Sequence, residues 1–234
     1  MRIKIIRHTK GTPPGTILDW LTTKGLKADV VNLHLGDRLP AVDDFDWVIS
    51  LGGGMNVDEE EKYPFLREEK KLLKDAVGAG KTCLGLCLGG QMLSQVLGGK
   101  VVQHVHKEVG WHQVEVVDAA PVIVFQWHQD TFSLPPGATR FATNSITENQ
   151  GFRFRDHVVG VQFHPEASDW FVRDCANDKE WPTGPYVQSK EEMLAGLETH
   201  LPALTRWFFG LLDELHTRTL NHLANPPREL RAEG

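Results

Sequence analysis

The sequence predicts an α/β protein: a three-layer open sheet, mainly parallel in its central strands, with helices on both faces and a small antiparallel β portion. Two patterns carry this. Over the first hundred residues, short apolar runs alternate with stretches of helical spacing, the rhythm of a parallel sheet joined by helical crossovers. From Lys100 the pattern changes to short β-type runs separated by turn residues, the mark of antiparallel strands. The length of 234 residues and the 41% hydrophobic content suit one globular domain with a sizeable core.

Taken in order, residues 2–7 read as a first strand, and Gly11-Thr12-Pro13-Pro14-Gly15 breaks it. Ile17, Leu18 and Leu21 begin a short helix that stops near Gly25, and 28–35 form a second strand. Residues 45–51 are nearly continuous in apolar side chains, as in a central strand, and run into Gly52-Gly53-Gly54. The acidic stretch 56–63 reads as a solvated loop. Pro64 opens a helix whose buried stripe is Phe65, Leu72, Leu73, Ala76 and Val77. A short apolar run at 83–86 meets a tight turn, and Met92, Leu93, Val96 and Leu97 mark the helix beyond it, stopped by Gly98-Gly99. Runs at 101–102, 114–117, 122–127, 141–143, 151–155 and 158–163 follow as strands. Helices are expected at 169–178, 191–201 and 205–222. The last carries an apolar stripe of Trp207, Phe208, Leu211, Leu212 and Leu215 that packs on the core. This divides the chain into a main domain, 1–200, and a helical extension, 201–234, packed on that domain and ending in a loose tail.

Charge and cysteine usage exclude several classes. A formal net charge of -6 gives no electrostatic case for a nucleic-acid partner. Three cysteines, with two close together at 83 and 87, make no disulfide framework and point to a reducing compartment. The N-terminal stretch is too polar for a signal peptide, and no apolar run reaches the length of a membrane span. The expectation is a cytoplasmic protein with no membrane partner.

The chemistry gathers at three places. Gly85-Leu86-Cys87-Leu88-Gly89 lies between a strand and a helix, the geometry of a nucleophile elbow with Cys where hydrolases carry Ser. A helix N-terminus behind Cys87 favours the thiolate. Gly52, Gly53 and Gly54 at the end of a central strand allow a backbone to approach a ligand closely and present amides to it. Gly160-Val161-Gln162-Phe163-His164-Pro165-Glu166 ends a strand, and His164 and Glu166 would share a face if the strand continued that far. An imidazole beside a carboxylate is the orienting half of a nucleophile-base-orienter triad. His128, which could pair with Asp130, is a rival source of a catalytic histidine. Gly110 and Trp111 read as a substrate-side loop or as packing. His104 and His106 share a strand face, but no metal-site spacing accompanies them, and no metal site is assigned.

These three motifs, in this order, resemble the class I (triad) glutamine amidotransferase family, and within it the free-standing subgroup similar to the glutaminase domain of GMP synthase. The resemblance covers roughly residues 1–170. It implies the flavodoxin-like fold of that family, with Cys87 as nucleophile, His164 as general base and acid, and Glu166 as the residue that orients His164. It also implies that the amides of Gly53 and Leu88 form the oxyanion hole and that Gln91 helps hold the substrate. Gly52, Gly54, Gly110, Trp111, His128 and Asp130 join it as substrate-side candidates. The family usually has proline where this chain has Gly54, which leaves the oxyanion strand freer.

The implied activity is hydrolysis of the side-chain amide of glutamine through a glutamyl thioester, without metal or organic cofactor. Ammonia then passes to a separate synthase subunit, since no room for an acceptor domain follows residue 170. The same triad would serve a stand-alone hydrolase of γ-glutamyl compounds. A non-enzymatic binding module is the reading of another class, and the intact Cys87, His164 and Glu166 speak against it. So does the His-Pro-Glu strand against a chaperone-like or peptidase protein of the same broad fold.

Overall fold

The computed structural model describes residues 1–225, and the expected loose tail lies outside them from 226 onward. The chain runs β1 (Ile3–Arg7), α1 (Thr16–Thr23), β2 (Ala28–Asn32), β3 (Trp47–Ser50), α2 (Phe65–Gly78), β4 (Thr82–Leu86) and α3 (Leu88–Val96). There follow β5 (Val101–Val116), β6 (Val122–Phe132), β7 (Thr139–Thr143), β8 (Gly151–Phe154), β9 (Val158–Val161), α4 (Asp169–Ala176) and α5 (Lys190–Ala224). The strands form one sheet in the order β2-β1-β3-β4-β9-β8-β7-β5-β6. Pairings from β2 through β9 are parallel and those beyond are antiparallel. This is the α/β architecture with a flavodoxin-like strand order in its parallel half.

Alternation along the parallel strands sorts the core into two layers. Ile3, Ile5, Trp47, Ile49, Leu84, Leu86, Val159 and Val161 face α1, α4 and α5. Ile6, Val48, Cys83 and Val158 face α2 and α3. β3 and β4 are buried at every position, which is why they read as continuous apolar runs.

Several expected boundaries move. The second strand stops at Asn32, because Leu33–Leu35 turn into a 3-10 helix that closes at Gly36 in the left-handed region, φ 88°. The runs at 101–102 and 114–117 are one 16-residue strand, and its antiparallel partner extends to Phe132. A backbone ladder needs no apolar alternation, and the polar, half-exposed stretch between these runs hides it from the pattern. The two helices expected at 191–201 and 205–222 are one continuous helix of 35 residues. A capping box starts it: Ser189 Oγ accepts from the Glu192 amide and Glu192 Oε2 accepts from the Ser189 amide. Pro202 inside α5 removes one backbone donor but lies on the exposed side, while Met193, Leu197, Leu204, Phe208, Leu212 and Leu215 bury the opposite face. Each such side chain contributes about 1.5–3 kcal/mol by burial, so the buried face together outweighs the cost of about 3 kcal/mol for a helix proline. The division at 200/201 therefore falls inside a helix.

Two glycines near the sheet's carboxyl edge differ in what they tolerate. A Cβ on Gly89 would lie 2.2 Å from the Ser50 carbonyl oxygen, whereas one on Gly54 would meet nothing within 4 Å. Denaturant unfolding of Gly89→Ala is expected to show a loss of about 1–3 kcal/mol from overpacking. Gly54→Ala is expected to be neutral or to gain about 0.4–1 kcal/mol through a less flexible unfolded chain.

Candidate active site

The carboxyl ends of the parallel strands meet at one place, where open α/β sheets gather ligands. β3 ends in Leu51-Gly52-Gly53-Gly54, β4 in Cys87, β9 in the turn that carries His164, and β1 in His8. Cys87 sits between β4 and α3 with φ 51°, a left-handed conformation rare for a residue with a side chain. Two backbone bonds hold it there: its amide donates to the Val161 carbonyl at 2.9 Å, and its carbonyl accepts from the Gln91 amide at 2.9 Å. Leu88 opens the helix, so its amide has no carbonyl one turn earlier to bond. The thiol therefore stands at a helix N-terminus with a spare amide beside it.

His164 is not on a strand. β9 stops at Val161, and a turn closed by the Ala167 amide on the His164 carbonyl brings Glu166 back beside the ring. The alternation that would have placed both side chains on one face is replaced by this turn. Glu166 Oε1 lies 2.8 Å from His164 Nδ1, which leaves Nε2 for the thiol. Glu166 is fully buried, and His164 nearly so. Burial works against a charged His164. The Glu166 carboxylate and then Cys87 overcome it, and the imidazole is pushed up to about 10. The other two thiols are different: burial pushes Cys83 up, and burial with neighbouring Asp174 and Asp178 pushes Cys175 up to about 12. Both stay protonated and inert.

Gly52 fits between His164 and Cys87. A Cβ there would come 2.7 Å from His164 Cε1 and 3.5 Å from Cys87 Cβ, so only glycine allows this approach. Its carbonyl faces the other way and is held by Thr12 Oγ1 at 2.9 Å and His8 Nδ1 at 3.0 Å. The Gly11–Gly15 segment also reaches the far side of the site, where the Thr16 amide donates to the Glu166 carbonyl at 3.0 Å.

A cavity of about 540 Å³ opens over Cys87, within the range of small-molecule sites. Gly53, Gly54, Gln91, His128 and Asp130 line it. Gln91 gives its side-chain nitrogen to the Asp130 carbonyl at 3.1 Å and to Gln162 Oε1 at 3.4 Å. Gln162 Nε2 in turn reaches Cys87 Sγ at 3.9 Å. His128 does not pair with the Asp130 carboxylate. Its Nδ1 meets the Asp130 carbonyl, and its Nε2 lies 3.4 Å from the buried Glu108, which also accepts from Asn144 and Gln150. Burial opposes the charge on Glu108, but the neighbouring His128 ring and the bond from Asn144 prevail and hold its carboxyl below its usual value. Both strand neighbours of His128 in sequence are polar or aromatic, so the cross-strand Glu108 left no local sign.

Gly110 and Trp111 do not line the cavity. Trp111 is a core side chain, its Nε1 donating to the Met193 carbonyl and its ring against Phe125, and Gly110 lies under Gln188. Of the two readings the sequence left for them, packing is what the structure shows. His104 and His106 contact each other, His106 also meets Tyr186, and among the described residues no group of three metal-binding side chains converges. No helix among the described residues is long and apolar enough to cross a membrane.

The sequence reading passed over His8, Thr12, Glu69 and Gln162. Glu69 left the clearest sign: a carboxylate on the apolar stripe of α2, three residues after Leu66 and three before Leu72, and fully buried.

A histidine raised in the fold contributes stability that is complete below its ordinary value of 6.5 and is lost as pH climbs through about 10. The gap in melting temperature between the wild-type chain and Glu166→Gln, which lacks the main supporting charge, is expected to be full at pH 6.5 and to narrow steadily as pH rises toward 10.

The family model described as glutamine amidotransferase class-I matches residues 16–169. A glutamine amidotransferase-like protein of Salmonella typhimurium, YfeJ, is 29% identical over 181 residues, covering 71% of this chain and 76% of that one. One subunit of the glutamine-hydrolysing GMP synthase of Sulfurisphaera tokodaii is 30% identical over 133 residues, covering 53% of this chain and 68% of that one. The crystal structure of a glutamine amidotransferase from Thermotoga maritima superposes with a TM-score of 0.83 at 33% identity, covering 94% of this chain and 98% of that one.

Proposed function

The chain belongs to the class I glutamine amidotransferase family, and from that premise we propose that it hydrolyses the side-chain amide of glutamine through a Cys87-His164-Glu166 triad and passes ammonia to a separate acceptor. The observation that carries the reading is the buried His164, set between the Glu166 carboxylate at 2.8 Å and the thiol of a strained elbow. A nucleophile, a base and an orienting group in contact, with amides alongside, make an acyl-transfer site.

The steps follow from the groups in place. The Cys87 thiolate attacks the amide carbon, and the amides of Gly53 and Leu88 receive the developing oxyanion. His164, as imidazolium, gives its proton to the departing ammonia, leaving a glutamyl thioester. Neutral His164 then draws a proton from water, whose oxygen attacks the thioester and frees glutamate and the thiolate. Glu166 fixes the ring and balances its charge throughout. Gln162 sits against the sulfur and ties it to Gln91, which borders the substrate space. The partner that would take the ammonia is a separate synthase chain, by analogy with the GMP synthase relative of Sulfurisphaera tokodaii.

A second reading is favoured by one observation. The cavity continues past His128 to Asp178, Glu180 and Pro182 on the segment before α5. Such room beyond the amide suits a γ-glutamyl peptide or amide with a leaving group larger than ammonia, hydrolysed by the same steps.

Purified protein given glutamine or a γ-glutamyl dipeptide separates the two. Ammonia release is scored for the first and freed amino acid for the second. Cys87→Ser is expected to stay folded and lose turnover of either; unchanged turnover would exclude Cys87 as nucleophile. His164→Ala is expected to be as damaging, while His128→Ala should leave the thiol's chemistry largely intact.

A further inference from the structure

Another buried histidine–carboxylate pair, besides those of His164 and His128, lies on the other side of the Gly52–Gly54 loop. His8 follows β1 directly and Glu69 projects from α2; His8 is 1% exposed and Glu69 0%. His8 Nε2 lies 2.7 Å from Glu69 Oε2, and the other carboxylate oxygen accepts from Ser50 Oγ at 2.7 Å. The remaining ring nitrogen, Nδ1, faces the Gly52 carbonyl at 3.0 Å, and Thr12 Oγ1 donates to the same oxygen at 2.9 Å.

We infer that His8, backed by Glu69 and joined by Thr12, is a positioning residue for the reaction: it clamps the Gly52 carbonyl and thereby aims the Gly53 amide into the oxyanion hole. The inference rests on the proposed acyl-transfer reading of the site. In a trans peptide the carbonyl and the following amide point in opposite directions, so fixing the first fixes the second. Glycine stands on both sides of this peptide, and without the clamp little prevents it from turning over. Gly54 adds no side-chain packing to the loop, since the space around it is empty within 4 Å of a would-be Cβ. A Cβ on Gly53 would strike Met55, Leu88 and His8 Cβ, so His8 closes on this peptide together with its neighbours.

The donor count supports a charged clamp. A carbonyl oxygen and a carboxylate both only accept, so a ring with one nitrogen on each must carry two protons. Burial opposes that charge, but Glu69, the charged group His8 faces, outweighs it, and His8 is raised above its ordinary value. Phe65 covers the ring face at 6.2 Å between centroids. An imidazolium here makes a stronger hydrogen bond to Gly52 than a neutral donor would. A pair needed only for packing would be replaceable by apolar side chains with little loss. This one ends on the carbonyl next to the catalytic amide.

The test compares His8→Leu, which removes the donor, with His8→Asn, whose amide nitrogen can take the place of Nδ1. With whichever of glutamine or γ-glutamyl dipeptide the wild type turns over, His8→Leu is expected to lower kcat by ~10²–10³, the usual loss for one oxyanion donor, with KM little changed. His8→Asn should recover most of that loss. Alkylation of Cys87 by iodoacetamide forms no oxyanion and should proceed at the wild-type rate in both. Should His8→Leu not fold, Thr12→Val removes the second donor and should show the same pattern in kcat, KM and alkylation.

Wild-type kcat in folded His8→Leu, or in Thr12→Val where that variant stands in, would overturn the inference, as would equal losses in turnover and alkylation or failure of Asn to rescue. Absence of wild-type turnover on both substrates would count against the acyl-transfer reading itself. ¹⁵N NMR then decides the clamp without activity. A doubly protonated His8 at neutral pH, with a Gly53 amide resonance that moves in His8→Leu and returns in His8→Asn, supports it. A neutral His8 or an unmoved Gly53 overturns it.

Discussion

Burying a charged imidazole is costly, on the order of several kcal/mol unless partners compensate, and the site is built around meeting that cost at His164. Glu166 and then Cys87 meet it. Each of these partners is fixed by backbone rather than by side chains alone. The Glu166 carbonyl is tied to the start of α1, the Cys87 amide to β9, and the His164 amide to the Phe125 carbonyl at 2.8 Å in β6. Parallel and antiparallel halves of the sheet thus converge on one ring. The strained backbone at Cys87 persists because these bonds over-determine it.

The same logic recurs at His8 and Glu69 across the oxyanion loop. The buried pairs His164–Glu166 and His8–Glu69 lie on either side of Gly52, the first beside the Cys87 thiol and the second on a peptide carbonyl. Their elements come from opposite faces of the sheet, with Glu69 on α2 and Glu166 beside α1. The close approach this requires explains the glycine at position 52, where a side chain would strike His164.

Much of this was legible in the sequence, and for stated reasons. Strands buried on both faces announce themselves as apolar runs, as β3 and β4 do, and the elbow and the His-Pro-Glu turn are contiguous motifs. The resemblance to the class I glutamine amidotransferases added the assignment that neither motif carries alone. What stayed hidden was made by contacts distant in sequence. Glu108 meets His128 across a ladder of polar residues, and His8 meets Glu69 across 61 positions. Pattern reading also broke α5 at Pro202, since a lone proline on the exposed side leaves the buried stripe uninterrupted. It left Trp111 open as a substrate-side residue, whereas the indole is buried and donates to the Met193 carbonyl in α5.

The central claim is that Cys87 carries the glutamyl group as a thioester. Acid-quenched samples taken during turnover of glutamine or a γ-glutamyl dipeptide, measured by intact-protein and peptide mass spectrometry, test it most directly. The account predicts an adduct with the mass of a glutamyl group on the peptide holding Cys87, which accumulates when the water-activating step is slowed. Turnover with no adduct on Cys87, or with the adduct on Cys83 or Cys175, would contradict it.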